Sequence, residues 1–219
     1  MTDAASPRLH TIEARTHGRV LVRQPPGPGP WPVLVGFHGY AEDAQIHLTA
    51  LARIPDADNW LLAAVQGLHP FYTRSQRIVA NWMTSQDREL ALADNVDYVG
   101  RVLDWLRAEY ALTTTRVFAG FSQGGAMAYR AAAEYGGSGV LIVAADVPPD
   151  VAARPGVVLP PVAIVRGTAD EWYTEEKHAA DLRTLASIGA RVESHVYDGG
   201  HEWSDDVCRA ASEFLHRVS

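Results

Sequence analysis

Ser122 stands in Gly120-Phe121-Ser122-Gln123-Gly124, between the apolar run Val117-Phe118-Ala119 and a small-residue segment from Gly125 to Tyr135. The order strand, sharp turn, helix is the setting in which a serine hydroxyl becomes a nucleophile. Glycines at 120 and 124 let neighbouring backbone crowd a strained serine. The hydroxyl then stands at a helix start, where free N–H groups favour developing negative charge. A serine needs a base, and imidazole has the suitable pKa. Position selects among nine histidines. His201 lies in Tyr197-Asp-Gly-Gly-His201-Glu-Trp, after one expected strand and before the last expected helix. A carboxylate must hold that imidazole in the right tautomer. Asp170 follows the buried run Val162-Ala-Ile-Val-Arg-Gly-Thr-Ala169, and Asp146, after Leu141-Ile-Val-Ala-Ala145, is its rival. Glu171 reads as a helix-start acid and Asp198 as a turn residue. The oxyanion of acyl transfer needs two N–H donors. The amide of Gln123 and that of Tyr40, in the turn His38-Gly39-Tyr40 after Val33-Leu-Val-Gly-Phe37, are the expected pair. The His38 side chain reads as a turn histidine bonded to nearby backbone.

These residues need elements to carry them. Strands are expected at 18–23, 33–37, 60–65, 116–120, 140–145, 162–166 and 191–197, with another near 8–14 inside an N-terminal segment 1–17 that could form an edge strand. Helices are expected at 43–54, 88–110, 124–135, 174–188 and 203–217. In the longest, Leu92, Val96, Val99, Leu103 and Leu106 fall on one stripe. Non-alternating apolar strands alternating with helices imply a mostly parallel, twisted sheet covered on both faces, in one domain spanning 1–219. Residues 66–87 show no period and read as a long ordered loop. Residues 146–161 are too short to carry a sizeable cap.

Formal net charge is −7 over 219 residues, which argues against a nucleic-acid partner. Apolar runs are strand-length, so no membrane span is expected. Met1 to Arg8 contains no hydrophobic core of a secretory signal, and a cytoplasmic location is the expectation. The single cysteine, Cys208, reads as a core residue, and the chain has no H-E-x-x-H-like metal spacing. Tyr40, Phe71, Tyr72, Trp82, Trp172, Tyr173 and Trp203 fall near the expected strand ends. Of these, Trp82 and Trp172, together with His69, are assigned to the substrate pocket. Arg74 and Arg77 read as solvated loop charges, and Trp105 as core.

The segments Phe37-His-Gly-Tyr40, Gly120-Phe-Ser-Gln-Gly-Gly-Ala-Met-Ala128, Arg166-Gly-Thr-Ala-Asp170 and Gly199-Gly-His201-Glu-Trp203 resemble the small carboxylesterase/phospholipase branch of the α/β-hydrolases, which includes acyl-protein thioesterases. The resemblance runs from about residue 30 to 217. It implies an α/β-hydrolase fold without a cap, no metal or organic cofactor, and hydrolysis of small or short-acyl esters through an acyl-enzyme. It maps Ser122, Asp170 and His201 to a catalytic triad and Tyr40 and Gln123 to the oxyanion hole. Thioester hydrolysis, acyl transfer or peptide cleavage on the same triad, and a non-catalytic binding role, are the alternatives. The chain departs from the family at His38-Gly-Tyr-Ala-Glu42, where His-Gly-Leu-Gly-Asp is frequent, and at Asp170-Glu-Trp-Tyr-Thr174.

Overall fold

Four apolar strands build the centre of the computed structural model, which describes residues 6–219. They are β2 (Trp31–Phe37), β6 (Leu112–Phe121), β7 (Gly139–Val143) and β8 (Val162–Gly167). Their inner stretches are buried without alternation, as covering both sheet faces requires. With β1 (Arg19–Arg23), β3 (Leu61–Gln66) and β9 (Val192–Tyr197) they form a seven-stranded sheet in the order β1-β3-β2-β6-β7-β8-β9. Only β1 runs antiparallel to its neighbour.

The helices divide between the two faces. They are α1 (Ala44–Ala52), α2 (Arg88–Glu109), α3 (Gln123–Tyr135), the short α4 (Pro149–Ala152), α5 (Glu175–Ser187) and α6 (Asp205–Val218). A side chain at Gly36 would strike His47 and Leu51 of α1, and one at Gly139 would strike Phe214 of α6. Gly36 aligns across the sheet with Ala119 and Leu141, the latter two positions from Gly139, so α1 and α6 share a face. Gly125 of α3 lies against Ile142, which points the other way. Ile142 aligns with Ile164 and Ser194, and Ser194 Oγ meets His178 of α5 at 2.9 Å. Thus α3 and α5 cover the second face, with α2 packed on α3.

Local sequence sets the helix starts. Asp43, Thr174 and Ser204 each accept an N–H from the first turn, from Ile46, Lys177 and Val207 respectively. In α2 the expected stripe holds at Val99, Leu103 and Leu106, and Asn95 is buried with them.

Several expectations are corrected. Residues 6–18 carry no regular structure and are exposed, so there is no edge strand at 8–14; residues 1–5 of that segment lie outside the described residues. The 66–87 stretch is not a plain loop. It holds a two-stranded hairpin, β4 (His69–Tyr72) and β5 (Ile78–Asn81), paired antiparallel. Pairing across the strands orders it where periodicity along one strand is too short to read. Trp105 is not core: it is 41% exposed and rests edge-on against Tyr110. Cys208 is buried on α6, and the 146–161 connection carries only α4.

Phe118, fully buried beside Phe37, and Trp105 should separate in urea denaturation. Phe118→Ala is expected to lose about 3–5 kcal/mol of unfolding free energy, and Trp105→Ala about 1 kcal/mol or less.

Candidate active site

Chain direction across the sheet reverses between β2 and β6. From β2 the chain moves outward to β3, and from β6 the other way to β7. The crevice beyond the carboxyl ends of two such strands is where open α/β sheets take ligands. The His38–Tyr40 turn leaves β2 there, and Ser122 leaves β6.

Ser122 occupies φ 52, ψ −122, a conformation rare for any residue with a side chain. Its N–H donates to Val143 O at 2.9 Å, and its carbonyl accepts from Gly125 N at 2.9 Å. Both flanking glycines are required by close backbone approach. A Cβ on Gly120 would lie 2.2 Å from Gly124 O, and one on Gly124 would lie 2.0 Å from Phe37 O. The elbow is therefore wedged between its own helix and the end of β2.

His201 and Asp170 are brought together. The imidazole Nδ1 lies 2.9 Å from Asp170 Oδ2 and 3.1 Å from Oδ1. The carboxylate also accepts the Trp172 and Tyr173 amides on Oδ1, both at 2.8 Å. Its side chain is fully buried, whereas that of His201 is 23% exposed. As an acceptor on Nδ1 the carboxylate fixes the Nδ1–H tautomer, leaving Nε2 with its lone pair. The imidazole ring packs 5.0 Å from Phe121, next to Ser122. The Ser122 hydroxyl itself makes no hydrogen bond among the described residues.

Backbone bonds between the two loops hold the pair. Thr168 N donates to Tyr197 O and Ala169 N to Gly199 O, each at 2.8 Å. The Tyr197 hydroxyl folds back onto Gly200 O and Glu202 O at 3.0 and 3.1 Å. Asp146, the rival acid, instead faces Lys177 at 3.4 Å on the surface. Asp198 meets Thr168 Oγ1.

The two expected oxyanion donors share a geometry. Neither Tyr40 N nor Gln123 N has an acceptor among the described residues. The carbonyl of each same peptide is pinned. Gly39 O accepts His38 Nδ1–H at 2.7 Å and Glu42 N at 3.3 Å, while Ser122 O takes Gly125 N. In a trans peptide the N–H points opposite its carbonyl, so both free donors have fixed directions. His38 Nε2 accepts Gly67 N at 3.0 Å, which makes Nδ1 the protonated nitrogen. Burial pushes the His38 pKa down, and the same cause takes His47 down to about 3. Glu42 caps Gly39 N at 2.7 Å, and its carboxyl is pushed up by burial despite that bond and the nearby His201.

The pocket assignments fare unevenly. Trp82 is fully buried, its indole N–H donating to His38 O at 2.9 Å, so it lies beneath the turn and walls no open pocket. Trp172 is 74% exposed, and His69 is exposed on β4. Tyr173 is core; its hydroxyl donates to the buried Asp181 at 2.8 Å. Exposed Tyr40 pairs with Phe71 of the hairpin at 5.6 Å. Glu42, Asp181 and the side-chain role of Gln123 escaped sequence reasoning. The available signal was a polar residue within a buried stripe, as at Asp181 between His178 and Leu185. Among the described residues no group of three or more His, Cys, Asp or Glu is arranged to hold a metal ion, and no helix is long and apolar enough to cross a membrane.

Two stability experiments follow from this geometry. Gly124→Ala should cost about 1–3 kcal/mol or more by overpacking, whereas Gly200→Ala, with open space around its Cβ, should stay within about 0.5 kcal/mol. His47 binds its proton at about 3 when folded and near 6.5 when unfolded. The unfolded chain protonates first, so stability is full above about pH 6.5 and falls as pH drops towards 3. In His47→Leu, that fall should be shallower by up to about 1.4 kcal/mol per pH unit, measured by denaturation at stepped pH. An unchanged slope would refute the assignment.

No protein-family model matches the chain, and no curated protein matches it in sequence. Solved structures do. A carboxylesterase from Bacillus cereus is 18% identical with a TM-score of 0.73, covering 92% of this chain and 95% of its own. A phospholipase/carboxylesterase from Dyadobacter fermentans is 19% identical with a TM-score of 0.71, over 93% and 99%. Arabidopsis thaliana SOBER1 is 18% identical with a TM-score of 0.70, over 85% and 98%. At these identities the likeness is one of fold, and that fold is the α/β-hydrolase fold.

Proposed function

We propose that this protein is a serine carboxylic-ester hydrolase acting on small or short-acyl esters. The observation that carries this reading is a part-buried His201–Asp170 pair whose imidazole packs on Phe121, the residue just before a strained, helix-starting Ser122. The carboxylesterase and phospholipase/carboxylesterase names among its structural likenesses agree with it.

His201 Nε2 takes the Ser122 proton as Oγ attacks the acyl carbonyl, and Asp170 stabilises the imidazolium without itself being protonated. The carbonyl oxygen gains negative charge against the Tyr40 and Gln123 amides, which have no acceptor of their own among the described residues. His201 then gives its proton to the departing alkoxide, leaving an acyl-Ser122 ester. Water, deprotonated by His201, attacks that ester, and the acid leaves as Ser122 regains its proton. The Asp170 bond keeps Nδ1 protonated throughout, so Nε2 remains the only site of proton exchange. A short connection at 146–161, with only α4 in it, supports an open site for small esters.

Hydrolysis of p-nitrophenyl esters from acetate to decanoate should peak at short chains. Ser122→Ala should remove most of the rate, on the order of 10⁴-fold or more, and Asp170→Asn should cost about 10⁴ by admitting the wrong tautomer. A folded wild type inert on every ester, or full activity in Ser122→Ala, would end this reading.

A further inference from the structure

The two N–H donors proposed for the oxyanion sit on segments far apart in sequence, and the sheet does not join them. The β2–β6 ladder reaches Phe37 opposite Gly120 and goes no further. Beyond it one chain turns into His38–Tyr40 and the other into Ser122–Gln123. A hole built on two diverging loops needs something to fix their separation, because preorganised donors act only where the developing charge will be.

Trp82 spans that gap. Its indole N–H donates to His38 O at 2.9 Å on one side. On the other, its backbone N–H donates to Gln123 Oε1 at 2.9 Å, and Gln123 Nε2 donates to Met83 O at 3.1 Å. Both ends of the Gln123 amide are thus engaged, which fixes its rotation as well as its place. Trp82 is itself immobilised. It is fully buried, packed edge-on against Phe37 and tilted against His38 with ring centroids 5.5 and 5.1 Å apart, and its carbonyl accepts Asn95 Nδ2 at 2.9 Å. The hairpin that leads into Trp82 is stitched to the same turn, with Ala41 N on Ala80 O at 3.2 Å and Ala80 N on Glu42 O at 2.8 Å.

We infer that Trp82 and the Gln123 side chain are positioning residues for the oxyanion site, setting the distance between the Tyr40 and Gln123 amides. This rests on the ester-hydrolase reading above. In that role the 66–83 segment is a buttress for transition-state charge, and its action reaches the substrate only through the two amides. Loosening it should therefore weaken binding of a tetrahedral oxyanion while leaving binding of the planar ester nearly unchanged.

The test uses the full chain with Gln123→Met, which keeps the backbone N–H, and Trp82→Phe, which keeps the ring packing but loses the indole donor. kcat and KM on p-nitrophenyl acetate are measured with the Ki of methylboronic acid, which becomes tetrahedral and anionic on Ser122. Each variant is expected to lose about 10–100-fold in kcat, with KM within about twofold and the boronate Ki rising in parallel. Val102→Ala, a core change on α2, should lower thermal stability without this split. An active wild type whose variants fold and keep kcat, or lose it through KM alone, overturns the inference and spares the hydrolase reading. A folded wild type that neither hydrolyses the ester nor binds the boronate overturns both. If one variant fails to fold, as circular dichroism will report, the other decides.

Discussion

The constraint on which the rest depends is the backbone of Ser122. Holding it at φ 52, ψ −122 costs on the order of 1–3 kcal/mol, so the surroundings must leave it no alternative. They do so by crowding. The ends of β2 and β6 and the first turn of α3 approach until no Cβ fits at 120 or 124. That crowding is possible because β2, β6, β7 and β8 are buried on both faces, and dense packing resists local relaxation. A site resting on this much buried surface can tolerate a strained residue at its edge.

The acid–imidazole pair is built differently, from loops rather than strand ends. Its rigidity comes from cross-bonds between the β8 and β9 exits and from the amides that surround Asp170. Tyr173 extends this inward. Its amide holds Asp170 while its hydroxyl is tied to Asp181, which also accepts Val147 N at 3.1 Å from the β7 exit. Three successive loops at one edge of the sheet are thereby tied together through two buried carboxylates, Asp181 for the β7 and β8 exits and Asp170 for the β8 and β9 exits. Burial raises the pKa of Asp181, the cost of placing a carboxyl where its partners are neutral.

The elements read most easily from the sequence are those whose burial follows a simple rule. Strands buried on both faces appear as unbroken apolar runs, and the elbow appears because its glycines have steric reasons that no other residue satisfies. Chain order does not separate Asp170 from Asp146, since each follows a strand and lies between Ser122 and His201, and in sequence only the family resemblance favours Asp170; in three dimensions the difference is burial, for Asp146 lies beside Lys177 at the surface. The β4–β5 hairpin was illegible because each strand is four residues long, too short for alternation to register. Trp82 misled for another reason. An aromatic residue near strand ends suggests a pocket wall, yet the indole carries one polar atom, and here that atom finds a buried acceptor and draws the ring inward. Trp105 misled in the opposite sense, since a tryptophan within a helical stripe can lie against a neighbouring ring at the surface.

Histidine chemistry at the site follows from the same distinction between engaged and free polar atoms. His38 has both ring nitrogens committed, one donating to Gly39 O and one accepting from Gly67 N. His47 is buried on α1, with its pKa near 3 and its Nε2 without a partner among the described residues. A proton arriving at either ring would meet a dry environment, and at His38 it would break the bond from Gly67 N that holds the ring beside the His38–Tyr40 turn. His201 alone of the three has one nitrogen held by a carboxylate and part of its ring open to water. In the proposed hydrolysis, proton exchange is thereby confined to one nitrogen of one ring, by the way its neighbours are bonded and not by any property of imidazole itself.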